Sequence, residues 1–187
     1  EMCIRDRIYI PYNNLEKVFD VVYAKNGKSP VKLAGYHALN SLRMEKGYLH
    51  WGHDIGVEEN PFEAGVGFCV NLNKKNPFLG QAALEEKKKS GLSKRKVNFA
   101  LSNNDLLIYH NEPIYFDGKI VGEISSGMYG FYLDKSLGMG YISNNDSYSI
   151  EEMMSHQKFE IEVAETKYSA EGSINCFYDP GREKILV

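Results

Sequence analysis

His50-Trp51-Gly52-His53-Asp54 places two histidines and a carboxylate within five residues, the residue types of a zinc site or a proton relay. Zinc needs further convergent ligands, and no other His or Cys follows at a spacing that completes a set. The i, i+3 histidine pair is therefore read as the solvent-facing part of a glycine-containing loop. Cys69, beside Phe68, has no helix N-terminus or basic sequence neighbour to lower its pKa, and reads as a small core residue rather than a nucleophile. Cys3, Cys69 and Cys176 are odd in number and widely spaced, so they give neither a disulfide framework nor a CxxC pair. A reducing compartment is the natural inference. No Ser-His-Asp signature, P-loop or GxGxxG is present, which leaves acyl transfer and nucleotide binding without support. No catalytic residue and no metal ligand is assigned.

The most informative string is Leu42-Arg43-Met44-Glu45-Lys46-Gly47-Tyr48-Leu49-His50-Trp51-Gly52-His53-Asp54-Ile55. Polar Arg43 and Glu45 stand near the end of a helix. Tyr48 and Trp51 then flank a glycine-containing turn, where ring and backbone could approach a flat heterocycle. The same residues read as readily as a helix end capped by packed aromatics, and chemistry alone leaves both readings open.

The elements that must position these residues fall into two textures. Ile8-Tyr9-Ile10 reads as the end of a strand. Asn13 or Asn14 caps a helix with Leu15, Val18, Phe19 and Val22 at helical spacing, ended by Asn26-Gly27 and Ser29-Pro30. A second helix runs from about Leu33 to Lys46, with Leu39 and Leu42 inward and Gly47 closing it. Pro61 to Gly65 fits a helical turn, Val66 to Leu72 a strand, and Gly80 to Ser90 a third helix with Leu84 inward and lysines at its C-terminal end. From Lys94 the pattern becomes β: Val97 to Leu101 alternates at period two. Glu112 to Gly122 reads as a hairpin turning at Asp117-Gly118, and strands follow at Leu137 to Ile142, Phe159 to Val163 and Tyr168 to Ile174. Short strands punctuated by Gly and Asn point to a small antiparallel barrel or sandwich. A boundary near Ser93 separates residues 8–92, an α+β part, from residues 93–187, a compact β domain.

Bulk properties exclude some partners. The 187 residues carry a formal net charge of −3, so no general attraction to nucleic acid or to an acidic membrane is expected. The clusters Lys87-Lys88-Lys89 and Lys94-Arg95-Lys96 read as a solvated helix end and the loop after it. No apolar run approaches a membrane span, and no signal peptide opens the chain. Residues 1–7, Glu1-Met2-Cys3-Ile4-Arg5-Asp6-Arg7, resemble a translated sequencing-adaptor string, with the biological chain cut upstream of Ile8; the alternative is a genuine short strand.

The segments Leu33-Ala34-Gly35-Tyr36, Ser41 to Tyr48 and Trp51-Gly52 resemble the family of glycine-cleavage aminomethyltransferases and their fused relatives. Asn60 to Phe68 and Phe78 to Leu84 continue the resemblance in order. So do Glu112 to Tyr115, Gly118 to Gly122, Ser125 to Gly130 and Ser136 to Ile142. Glu45-Lys46-Gly47-Tyr48-x-x-Trp51-Gly52 looks like the dehydrogenase-fused members, and Phe177-Tyr178-Asp179-Pro180 like sarcosine dehydrogenase.

The resemblance implies the C-terminal part of a folate-binding domain followed by a β-barrel domain. It implies a parent with an N-terminal FAD domain that oxidises an N-methyl amine, whose one-carbon unit is captured on tetrahydrofolate. Sarcosine or dimethylglycine dehydrogenases are the models, and a stand-alone aminomethyltransferase or a non-catalytic regulatory module like the pyruvate dehydrogenase phosphatase regulatory subunit are the alternatives. Partners are then the folate and the flavin domain of the same chain, without nucleic acid or membrane. The location is bacterial cytoplasm or mitochondrial matrix. Tyr9 and Phe68 match aromatic positions that contact folate, with Tyr48, Trp51 and Arg43 as further candidates. The family's pterin-gripping glutamate falls at Arg7, and the arginine that holds the folate tail falls at Leu39, so neither contact carries over. With the acidic residue that assists folate chemistry also unmatched, this polypeptide alone is expected to be inactive.

Overall fold

The computed structural model describes residues 8–23, 31–103 and 105–184. The expected helix terminators Asn26-Gly27 and Ser29-Pro30, residues 1–7 with Arg7, and Cys3 lie outside them.

Six strands form a closed antiparallel barrel: β1 (Lys94–Leu101), β2 (Pro113–Phe116), β3 (Lys119–Gly130), β4 (Lys135–Ser143), β5 (Phe159–Val163) and β6 (Thr166–Ser173). Their order is β1-β4-β3-β2-β5-β6, and β6 returns to β1 in the register Asn98↔Ser173. The β2–β3 hairpin turns at Asp117-Gly118, both with positive φ (49° and 79°), the backbone a two-residue hairpin requires. Period-two alternation sends Val97, Phe99 and Leu101 of β1 inward, where they meet Ile114, Phe116, Ile124, Ile142, Phe159 and Ile161. Phe159 sits edge-on to both Phe116 and Phe99, with centroids at 5.1 and 5.4 Å. Each such side chain contributes about 2 kcal/mol by leaving water.

Two features escape simple alternation. β3 runs on to Gly130 through a bulge between Ile124 and Ser126, beyond the hairpin expected from sequence. Gly127 lies under the Ile108 backbone, where a Cβ would stand 2.2 Å from the Ile108 carbonyl oxygen. Between β4 and β5 a seven-residue helix, Ile150–His156, adds Ile150 and Met153 to the core. Its N-terminus is a reciprocal capping box between Ser149 and Glu152.

The residues before β1 are differently built. They comprise a 3-10 turn at Tyr12–Asn14, α1 (Leu15–Tyr23), α2 (Tyr36–Lys46), a second 3-10 turn at Gly67–Cys69 and α3 (Gln81–Ser90). The isolated helix Ile150–His156 then becomes α4. Helix α1 has no buried residue; Leu15, Phe19 and Val22 remain 46–49% exposed. Helix α2 corrects the expectation that Leu39 and Leu42 point inward: they are 44% and 61% exposed, and Ser41, Met44 and Glu45 are buried instead. This helix docks mainly by hydrogen bonds, so the hydrophobic pattern misidentifies its inner face. The expected strand at Val66 to Leu72 is absent; a 3-10 turn takes its place, and Cys69 is exposed rather than core. Lys94-Arg95-Lys96 opens β1 and is not a solvated loop. Helix α3, with Leu84 half-buried and Lys87, Lys88 and Lys89 in its last turn, matches the sequence pattern.

Candidate functional site at the seam between helix α2 and the barrel

Helix α2 lies on β3 through polar contacts spaced along its length. Ser41 Oγ donates to the Tyr129 carbonyl at 2.7 Å. Buried Glu45 accepts from the Tyr132 and Leu133 N–H groups at 2.7 and 3.1 Å, satisfying the turn between β3 and β4. At the helix end Gly47 adopts the left-handed conformation (φ 68°) and the Tyr48 N–H closes on the Arg43 carbonyl at 2.9 Å. The C-terminal segment returns across this end: the Tyr178 N–H donates to the Glu45 carbonyl at 3.0 Å and Lys46 pairs with Asp179 at 3.2 Å. Met44, Ala100, Leu137 and Met139 fill the space between, with Phe177 against them.

The centre of the seam is the ion pair of Arg43 and Asp54. Arg43 Nη1 donates to Asp54 Oδ2 at 2.7 Å, Nε to Asn40 Oδ1 at 2.6 Å and Nη2 to Ser126 Oγ at 3.0 Å. Asp54 is only 1% exposed, which demands full compensation of its charge. It receives it: the His50 N–H donates at 2.8 Å and Ser125 Oγ at 2.7 Å, while the Asp54 carbonyl accepts from the Tyr141 hydroxyl at 2.7 Å. The loop can bring Asp54 there because Gly52 takes φ 85° and donates to the Ile55 carbonyl at 2.8 Å. Burial, then the carboxylates Glu59, Asp54 and Glu63, push the Tyr141 hydroxyl pKa well up, so it stays a proton donor.

Two hollows flank this pair. One, of about 160 Å³, is lined by Tyr36, Asn40, Arg43, His50, His53 and His110 among others. The second, of about 460 Å³, is bordered by Asp54, Glu59, Lys94, Glu123 and Tyr141 among others. There burial works to raise the Glu59 pKa, but the Lys94 ammonium at 2.9 Å and the Gly56 N–H outweigh it and hold it low.

Behind the seam, on the outward face of β1, Lys96 is 6% exposed and donates to Asn98 Oδ1 at 3.1 Å. Asn98 Nδ2 in turn donates to the carbonyls of Ser173, Ile174 and Asn175, at 2.9–3.3 Å. Burial pulls the Lys96 pKa down to about 8, against the opposing pull of Asp54 and Cys176.

Of the residues expected to bind, Arg43 and Tyr48 come together, the guanidinium reaching the Tyr48 carbonyl at 3.4 Å. Trp51 is on the same loop with its side chain 69% exposed, and Tyr9 (88%) and Phe68 (83%) stand exposed on separate segments. None of Tyr9, Tyr48, Trp51 or Phe68 lines the hollow beside Arg43. His50 and His53 are exposed, as the loop reading expects. The loop reading does not show Asp54 as the buried anchor, because its burial depends on Ser125, 71 residues away in sequence, as well as on Arg43.

With this geometry in place, comparison with known proteins identifies the two parts of the chain. Residues 7–74 match the GCVT N-terminal domain, and residues 94–179 match the glycine cleavage T-protein C-terminal barrel domain. The chain belongs to the glycine cleavage T-protein domain family. A 4-methylaminobutanoate oxidase (formaldehyde-forming) of Paenarthrobacter nicotinovorans is 36% identical over 90% of this chain, which covers 20% of that protein. Human mitochondrial sarcosine dehydrogenase is 30% identical over 95% of this chain, covering 19% of that protein. The aminomethyltransferase of Synechocystis is 32% identical over 81% of this chain and 39% of that protein. The crystal structure of glycine cleavage system aminomethyltransferase T from Bartonella henselae superimposes with a TM-score of 0.73. That match covers 91% of this chain and 45% of the other at 21% identity, and it shows the shared fold. This T-protein-type chain thus spans about a fifth of the length of the oxidase and dehydrogenase relatives. Among the described residues no helix is long and apolar enough to cross a membrane.

Proposed function

We propose that this chain supplies part of a tetrahydrofolate site in an FAD-dependent sarcosine- or dimethylglycine-dehydrogenase-like protein. There it helps capture the one-carbon unit released by oxidative demethylation. The observation that carries the reading is that this chain, with its two T-protein domains in order, is 30% identical over 95% of its length to human mitochondrial sarcosine dehydrogenase. The exposed rings of Tyr9, Phe68 and Trp51 support it, because a flat pterin or benzoyl ring needs aromatic faces not already used in packing. Their role is to stack and orient; Arg43 and Tyr48 hold the Trp51 loop on the barrel. Oxidation belongs to a separate flavin domain of the same protein, and no residue of this chain takes part in it. The unburied apolar residues of α1 and α2, among them Phe19, Val22 and Leu42, are the surface on which further polypeptide of that protein would rest. The setting is a bacterial cytoplasm or a mitochondrial matrix. The boundary between the two parts falls near Ser93, in the exposed segment between α3 and β1.

A second reading, a glycine-cleavage aminomethyltransferase, draws on the identity to the Synechocystis enzyme. Amine-dependent flavin reduction in the full-length protein separates the two.

Titration of the parent protein with tetrahydrofolate, and of its Phe68→Ala variant, tests the site. Loss of ring contact and of apolar area is expected to weaken binding about tenfold. Because Phe68 is 83% exposed, its melting temperature is expected to change little. Unchanged affinity in the variant overturns the assignment. The chain by itself is expected not to oxidise sarcosine or dimethylglycine, and flavin-free turnover would contradict this.

A further inference from the structure

Three imidazoles converge on the mouth of the smaller hollow. His50 and His53 stack at 5.7 Å between centroids and 13° between planes, and His110 approaches His53 at 6.2 Å from the segment leading into β2. All three line the hollow together with Arg43, Asn40 and Tyr36. Among the described residues, none of the three rings makes a side-chain hydrogen bond or ion pair, and His53 stands in ring contact with both His50 and His110. Arg43 Nη2 has two N–H groups, of which Ser126 takes one. The hollow therefore presents unspent donors: a guanidinium N–H on its floor, an amide from Asn40 and three imidazoles at its rim.

This donor set does not suit a metal ion. Near-parallel rings do not aim their lone pairs at one point, and among the described residues no group of three His, Cys, Asp or Glu is placed to hold one. It suits an oxyanion. Each imidazole carries at least one ring N–H that can donate to an oxyanion. The charges facing the hollow are few. Asp54, beneath it, is neutralised by Arg43. Glu112, which accepts the Tyr109 N–H at 2.9 Å, is the nearest other carboxylate along the His110 segment. Tyr36 from α2 and Tyr109 are neutral phenols, and β3 contributes only Ser125, Ser126 and Gly127.

We infer that the His50–His53–His110 hollow is a binding site for a small dianion of the carboxylate or phosphate class. It stands apart from the aromatic surface proposed for folate and does not depend on it. At about 160 Å³ it admits one carboxylate or phosphate group rather than a heterocycle. The anion lies between the imidazole cluster and the Arg43 guanidinium.

The test follows the imidazole C–H resonances of the full chain during titration with glutarate and, separately, inorganic phosphate. The expected result is saturable shifts of all three rings at about pH 6. Glutarate binding tighter than phosphate identifies a carboxylate-bearing ligand, and the reverse identifies a phosphate. Because the rings are exposed, His53→Gln and His110→Gln should keep the parent melting temperature and each weaken binding about tenfold. Absence of saturable shifts with both anions overturns the proposal. So does binding that the variants leave unchanged.

Discussion

The barrel and the helices before it solve the burial problem in opposite ways. Every barrel strand places at least one side chain in a shared apolar core, and Phe99, Phe116 and Phe159 are almost wholly out of water. Helix α1 buries nothing although its apolar residues repeat as regularly as any strand's, and α2 turns Met44 inward between two polar anchors. Apolar periodicity thus has two meanings within one chain. In the barrel it records an interface already made; in α1 it records a surface still open. What holds the pre-barrel part in place is a set of charged and hydrogen-bonded contacts with little tolerance for loss.

The contrast can be broken or sharpened by substitution. The largest effect is expected from Phe159→Ala, which empties the centre of the barrel and should cost about 3–5 kcal/mol in chemical denaturation. Asp54→Ala should cost about 3 kcal/mol, because it strands the buried Arg43 and Ser125 groups while leaving every barrel core residue in place. A cost under about 1 kcal/mol would mean that the seam is ornamental. Lys96→Met should stabilise the protein near pH 7 by up to about 3 kcal/mol, since burial of the ammonium outweighs its hydrogen bond to Asn98 and the attraction of Asp54. The pH dependence has a definite sign. With a folded pKa near 8 and an ordinary value of 10.5, the unfolded chain binds more protons between those limits, so parent stability rises with pH there. Tyr141, raised in the fold, acts in the opposite direction above its ordinary value of 10.0 and should blunt the rise. Denaturation midpoints from pH 7 to 10 should climb in the parent and stay flatter in the variant. The smallest effect is expected from Phe19→Ala, about 0.5 kcal/mol or less. A larger loss would show that the α1 face is already covered.

This pattern also explains what the sequence disclosed. The strands were legible because each has one buried face and a period of two, and Asp117-Gly118 named its turn outright. The second half of β3 was not, since the bulge at Ile124/Ser126 breaks alternation among small residues. Helix α4 is hard to read from sequence because its seven residues place only Ile150 and Met153 in the interior, although Ser149 and Glu152 spell its cap. The inner face of α2 was misjudged because Ser41 and Glu45 are buried for the carbonyl and N–H groups they satisfy, partners invisible to hydropathy. In the candidate site, the string around Arg43 draws attention to that residue, but its pairing with Asp54 is not legible in it. The burial of Asp54 and the approach of His110 are not legible either, since Ser125 reaches Asp54 from 71 residues away and His110 meets His53 from the segment before β2.

Closure of the barrel also has a consequence for synthesis on the ribosome. β1 finds one of its two ladder partners only in β6, with Asn98 bonded to the Ser173 carbonyl across 75 residues. Until β6 emerges, β1 presents an unpaired edge beside an apolar face, the combination most prone to mispairing between nascent chains. The basic start of β1, Lys94-Arg95-Lys96, places like charges on that edge while it waits and discourages a neighbouring copy from adding to it.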